Sequence, residues 1–227
     1  MFKRLSTAIL LITTAFLFIS NASPTYELAV MKYRGGGDWY GNPSSLTNLI
    51  SFCNDNLNMD LSPEYQVVEA GSPDLLNYPF VHLTGHGNIE WNEAELNNIR
   101  TWLKAGGFLH VDDNYGMDPY IRPQLESLFP EFELTEISAT HPIFKAPYLL
   151  EEGLPKIHEH DGGSPKAFGI FIDGRLAVFY TFEADLGDGW EDPEIHNDPE
   201  SVRLKALQMG ANLISYAFNG SVYVQDE

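Results

Sequence analysis

Two adjacent carboxylates, Asp112-Asp113, close an apolar run at Phe108–Val111. That is the strand-to-helix position where other α/β enzymes carry a nucleophile. Neighbouring acids repel unless a cation shares them, so they could hold a divalent metal ion, with His86 or His110 nearby, or position a water. The alternative is that one carboxylate accepts loop amides while the other faces solvent. His86 stands between Gly85 and Gly87. A residue so flanked is expected at an exposed strand end, where an imidazole can be an acid, a base or a ligand. The competing role is a turn histidine bonded to nearby backbone. His141 precedes Pro142, which holds it extended and could present its ring to a cleft. Water activation would then fall to Asp113, His86 and His141, and metal ligation to Asp112, Asp113 and His86.

Further loops offer binding chemistry. Gly35-Gly36-Gly37-Asp38-Trp39-Tyr40 could turn amide N–H groups toward an anion. No Gly-Lys-Ser/Thr follows, so it is not a nucleotide P-loop, and a tight turn is the plainer use of the glycines. Asp185-Leu186-Gly187-Asp188-Gly189-Trp190 joins Asp and Trp with glycines in the same manner. Trp39, Tyr40, Tyr115 and Trp190 flank these loops and suit stacking on a sugar or other ring face, or capping of a core. The ligand-binding set is therefore Gly36, Gly37, Asp38, Trp39, Gly85, Gly87, Asp112, Tyr115, Asp185 and Trp190. His158-Glu159-His160-Asp161 has ligand-type side chains but not the helical His-Glu-x-x-His spacing of a zinc protease, and reads as a solvated polar turn. The acidic stretch Glu183–Glu200 lacks EF-hand spacing and reads as solvated surface.

These loops need elements to position them. Apolar runs alternate with helical patterns, the signature of an α/β domain with a mainly parallel sheet. Strands are expected at Glu27–Tyr33, Tyr65–Glu69, Phe80–Leu83 and Phe108–Val111. A helix over Ser45–Leu57 presents Leu46, Leu49, Ile50, Cys53 and Leu57 on one face. Asn92 and Glu95 form a capping box for the next helix, which Gly106-Gly107 ends. Asp118-Pro119 starts a helix through Phe129, and Asp198-Pro199 one through about Phe218. Asp173-Gly174 is the favoured pair for a type I′ hairpin between Ala167–Ile172 and Arg175–Phe182. Lengths and order fit a three-layer α/β/α sandwich. In such sheets sites form outside the carboxyl ends of the strands, which brings the loops above toward one cleft.

The chain has 227 residues, with 13 Lys+Arg against 32 Asp+Glu and a net charge of -19. The acid excess argues against nucleic acid, whose binding needs a basic face, and disfavours anionic lipid. Lys3 and Arg4 precede an apolar stretch, and Ser20-Asn21-Ala22 supplies small residues for cleavage. Residues 1–22 are thus expected to be a signal peptide, with a single domain over 23–220 and a polar tail over 221–227. Removing Lys3 and Arg4 leaves 11 cations against 32 anions, or -21. The expected location is periplasmic or secreted, with no transmembrane span in the mature chain. The single cysteine, Cys53, excludes an internal disulfide or a Cys-rich metal site.

Tyr33-Arg34-Gly35-Gly36-Gly37-Asp38-Trp39-Tyr40, Tyr78-Pro79-Phe80, Leu83-Thr84-Gly85-His86-Gly87, Gly106-Gly107-Phe108-Leu109 with Asp112-Asp113, His141-Pro142-Ile143-Phe144 and Gly189-Trp190 occur in that order. Together they resemble the bacterial domain-of-unknown-function family 4159, from about Tyr26 to Phe218. The resemblance implies a class I glutamine-amidotransferase-like fold, a flavodoxin-like three-layer sandwich, and no settled activity. An active amidotransferase of that fold needs a cysteine at the strand-to-helix elbow, where this chain has Asp112-Asp113. Glutamine hydrolysis by the usual thiolate route is therefore excluded. What remains is an exported ligand-binding or accessory domain of the cell envelope that takes a small molecule or an envelope protein. The alternatives are a metal- or carboxylate-dependent hydrolase using Asp112, Asp113 and His86, and an acidic protein-interaction module.

Overall fold

The computed structural model describes residues 26–219. The expected leader and polar tail lie outside the described residues. Seven strands form one sheet: β1 (Ala29–Lys32), β2 (Gln66–Glu69), β3 (Phe80–Gly85), β4 (Phe108–Asp113), β5 (Thr135–Glu136), β6 (Lys166–Ile172) and β7 (Arg175–Phe182). Their order is β2-β1-β3-β4-β7-β6-β5. The first five in that order are mutually parallel, and β6 and β5 extend the sheet antiparallel. Six helices accompany it: α1 (Ser45–Leu57), α2 (Glu93–Lys104), α3 (Asp118–Leu128), α4 (Leu186–Trp190), α5 (Pro193–His196) and α6 (Glu200–Asn219). Among the described residues no helix is long and apolar enough to cross a membrane.

Strand side chains alternate between faces, so each strand feeds two cores. Leu28, Val30, Phe80, Phe108 and Phe179 pack with α1, α4 and α6. Ala29, Met31, Val81, Leu83, Leu109 and Val111 pack with α2 and α3. The result is the expected α/β sandwich, helices on both faces of one sheet. Local chemistry sets several boundaries. Both halves of the Asn92–Glu95 capping box are present at the start of α2. Asp173 and Gly174 both have positive φ, as the two central residues of a type I′ hairpin must.

Two departures from the sequence reading reshape the site. Strand β4 continues through Asp112 and Asp113, and β3 through Thr84 and Gly85, so these residues lie inside the ladder rather than in loops. The stretch Glu183–Glu200 is a solvated surface only in its second half: it folds into α4 and α5, Glu183, Asp185 and Glu191 are buried, and residues 193–197 are exposed.

Candidate functional site

Alternation along β4 sends the two adjacent aspartates to opposite faces of the sheet. Asp112, fully buried, turns toward α4, accepting hydrogen bonds from Thr181 Oγ1 and from the amides of Leu186 and Gly187. Asp113 turns toward α3 and accepts from the amides of Tyr115, Met117 and Asp118. Each carboxylate thus holds the entry to a helix. The expected pairing of Asp112 and Asp113 on one metal ion is not what the structure builds, because a strand cannot aim successive side chains at one point. Burial pushes Asp112 up to about 7 and raises Asp113 as well, although the amide hydrogen bonds oppose it in both.

His86, half exposed, sits at the end of β3 and is paired through Nδ1 with Asp38, 3.0 Å away. The Asp38 carboxylate also accepts from the His86 amide. The glycines around this pair are there for close approach. A Cβ on Gly37 would stand 2.6 Å from the His86 carbonyl oxygen, and one on Gly85 2.3 Å from the Tyr33 hydroxyl. Gly36 and Gly87 have positive φ and open space around them. Trp39 is partly buried and meets Tyr40 edge-on. Trp190 is fully buried, with Nε1 donating to the Ala206 carbonyl and its ring against His82 and His110. It belongs to the core and not to a ligand surface.

His141 is elsewhere. It caps a short turn by accepting from the Ile143 amide, beside Phe171, Gly174 and Tyr216. Gly174 marks the hairpin, at the amino ends of the parallel strands, so His141 does not share a cleft with His86 or Asp113. The hollow around it is about 480 Å³. A smaller one of about 340 Å³ opens at the carboxyl end, between Asp113, Tyr115, Asp118, His160, Asp161 and Glu183. The second carries the convergent titratable groups and is the better site on chemical grounds.

The segment read as a solvated polar turn supplies the centre of this region. The Ile157 amide donates to the Ala184 carbonyl, which lays residues 156–161 beside the chain leaving β7. His160 Nε2 then hydrogen-bonds Asp185 Oδ2, and the His160 ring stacks on Tyr115 with centroids 4.5 Å apart. His158 Nδ1 lies 2.9 Å from Asp188 Oδ2, and its Nε2 3.2 Å from both oxygens of Asp198. His196 Nε2 is 3.0 Å from Glu191 Oε2 and 3.7 Å from Asp188 Oδ1. Asn42 and Asn114 each donate to Asp188 Oδ1, and Thr84 bonds both amides.

The electrostatics follow from that crowding. Hydrogen bonding to Asp188, then the charges of Asp188, Asp198 and Asp185, lift His158 to about 9 despite its partial burial. Burial alone would raise Asp188, but the His158 hydrogen bond, the His196 charge and the Asn42 hydrogen bond leave it below the ordinary carboxylate value. Burial, with Asp112 and Asp188 close by, pushes Asp185 up to about 8. Cys53 is far from this chemistry under α1, fully buried, and burial lifts its thiol to about 12, which leaves no thiolate for nucleophilic attack.

The sequence reading therefore found Asp185, Tyr115 and Asp113 of this region and the loop that carries Asp188, set His158 and His160 aside as a solvated turn, and missed His196, Asp198 and Glu191. The signal available was the alternation His158-x-His160, but its partners come from 25 to 40 residues further along the chain. No curated protein matches the chain. The family model described as domain of unknown function (DUF4159) matches residues 27–218, nearly the whole described chain, and the protein belongs to that family.

Proposed function

We propose that this protein is an exported ligand-binding or accessory domain of the cell envelope, built on a class I glutamine-amidotransferase-like scaffold without the catalytic thiol. The parallel order β2-β1-β3-β4-β7 supports the scaffold, since it has its topological switch point between β1 and β3, as flavodoxin-like sheets do. The loss of glutaminase chemistry rests on the carboxyl end of β4, where Asp112 and Asp113 and then Asn114 stand and no cysteine does, and on the burial of Cys53. One observation carries the binding role: the carboxyl-end hollow, with the half-exposed Tyr115 ring on its wall and Asp161, Glu183 and His160 around it. An aromatic face beside acceptor side chains suits a small polar ligand with a ring face, such as a sugar.

A thermal-shift screen of saccharides and nucleotides tests this reading. A ligand present at 100 times its Kd stabilises by about 2.7 kcal/mol, which for a domain of this size raises Tm by about 5–10 °C. The shift should disappear in Tyr115→Ala. If no compound moves Tm, or if Tyr115→Ala shifts as the parent does, the cleft is not the binding site.

A further inference from the structure

We infer that His158, Asp188 and His196 bind one divalent transition-metal ion of the zinc type. One ligand atom from each lies within 4.8 Å of the other two. The three come from separate segments: the chain beside β7, helix α4 and helix α5. Ligands of a tetrahedral zinc, at about 2.0–2.1 Å from the metal, stand about 3.3–3.4 Å apart. The 2.9 Å between His158 Nδ1 and Asp188 Oδ2 is near that spacing, and His196 Nε2 stands 3.7 Å from the other carboxylate oxygen, Oδ1.

The surroundings are those of a ligand shell. Asp198 engages His158 Nε2, so the Nδ1 lone pair is the one presented to a metal. A carboxylate behind a ligating imidazole fixes its tautomer and raises its basicity. Asn42 and Asn114 hold Asp188 Oδ1, which leaves Oδ2 toward His158. A second observation points to a cation independently. Asp185 is fully buried, its Oδ1 has no hydrogen-bond partner, and its Oδ2 lies 3.7 Å from His158 Nδ1. The Oδ2 oxygen adds negative charge beside His158, which favours a cation there. Among the described residues no Lys or Arg pairs with Asp185, Asp188, Glu191 or Asp198.

Two imidazoles with a carboxylate select zinc-like ions over calcium or magnesium, which take oxygen ligands. Three protein ligands leave a fourth position open. None of the three residues is fully buried, so solvent can reach that position. This cation falls on different residues from the Asp112, Asp113 and His86 expected from the sequence. It adjoins the proposed ligand cleft through Asp185 and His160. Its measurement uses no organic ligand, so either reading can fail alone.

The full chain, made without a histidine tag and stripped with chelator, is titrated with Co²⁺ and followed by visible absorption and proton NMR. One equivalent should bind with ligand-field bands, be displaced by Zn²⁺, and shift two exchangeable imidazole N–H signals far outside the normal range. His158→Ala and His196→Ala should each abolish the stoichiometric bands. Asp198→Asn should weaken affinity about 10–100-fold. Should a variant fail to fold by circular dichroism, the imidazole count in the parent chain still decides. Absent stoichiometric binding, fewer than two shifted imidazoles, bands that survive both histidine replacements, or a preference for Ca²⁺ over Zn²⁺ would each overturn the inference.

Discussion

His82 and His110 sit on adjacent strands, fully buried, with their Nδ1 atoms 3.0 Å apart. One must donate to the other, so the rings hold opposite tautomers. His110 Nε2 faces Thr181 Oγ1, whose own proton serves Asp112 or the Val111 carbonyl, while His82 Nε2 has no partner. If His82 carries its proton on Nδ1, the orphan is an acceptor and His110 donates to Thr181. That is cheaper than burying an unpaired N–H donor. Both rings are then neutral, and burial holds His82 down to about 3 and His110 well below its ordinary value. Their folded values lie below the unfolded one. The stability they contribute is therefore complete above about pH 6.5 and is lost progressively as pH falls toward 3, by about 1.4 kcal/mol per pH unit per ring. Asp112 and Asp185 act with the opposite sign. Their folded values of about 7 and about 8 exceed the unfolded one, so their protonated forms add stability at low pH that is lost as pH rises through those values. Comparison of variants separates the two. In urea denaturation, His82→Phe should be less stable than the parent at pH 7 yet lose stability less steeply between pH 6.5 and 5, by roughly 1.4 kcal/mol per unit. Parallel profiles would mean that His82 is not a neutral core residue.

Helix α6 shows how closely the elements that carry the site are fitted together. It lies on α1 and α4, and Gly210 faces side chains of both. A Cβ there would stand 2.6 Å from Leu49 Cδ1 and 2.9 Å from Trp190 Cε2, and both neighbours are fully buried. Alanine is the better helix former by about 1 kcal/mol, but overpacking a filled core costs about 1–3 kcal/mol. Trp190 is locked by its bond to Ala206, so overpacking wins. Gly210→Ala should lower the stability read from urea denaturation by up to about 2 kcal/mol; a stabilised variant would show that α6 can slide outward. The same element scale explains what the sequence could and could not disclose. The capping box at Asn92 and the Asp173-Gly174 turn are written in residues that touch one another, so local chemistry predicts them. Asp112 and Asp113 look like a loop because acids end the apolar run, yet hydrogen bonds from α3 and α4 let β4 carry them inside. His158 reads as solvated because nothing near it in sequence announces Asp185, Asp188 or Asp198. Only the path of β7 into α4 and α5 brings these together.

At the scale of the whole molecule, a net charge of -19 means that long-range repulsion is not balanced by local pairing. Exposed pairs such as Lys32–Glu69 and Arg34–Glu95 are each worth at most about 1 kcal/mol. Among the described residues several carboxylates of the carboxyl-end region have imidazoles, and no Lys or Arg, as their ion-pair partners. Raising NaCl from about 0.01 M to about 0.3 M shortens the Debye length from about 30 Å to about 6 Å. Screening then removes more repulsion, spread over the whole surface, than it removes attraction in a few exposed contacts. Tm should rise with salt, by about 2–4 °C for each kcal/mol recovered. Docking of a basic envelope partner would respond in the opposite direction, since its on-rate and affinity draw on the same field and weaken as it is screened. A single salt series, read by melting for the chain alone and by binding for any complex, therefore separates the two consequences of the acidity. A Tm that falls with NaCl would mean that the ion pairs, and not the excess of carboxylates, set the electrostatic part of stability.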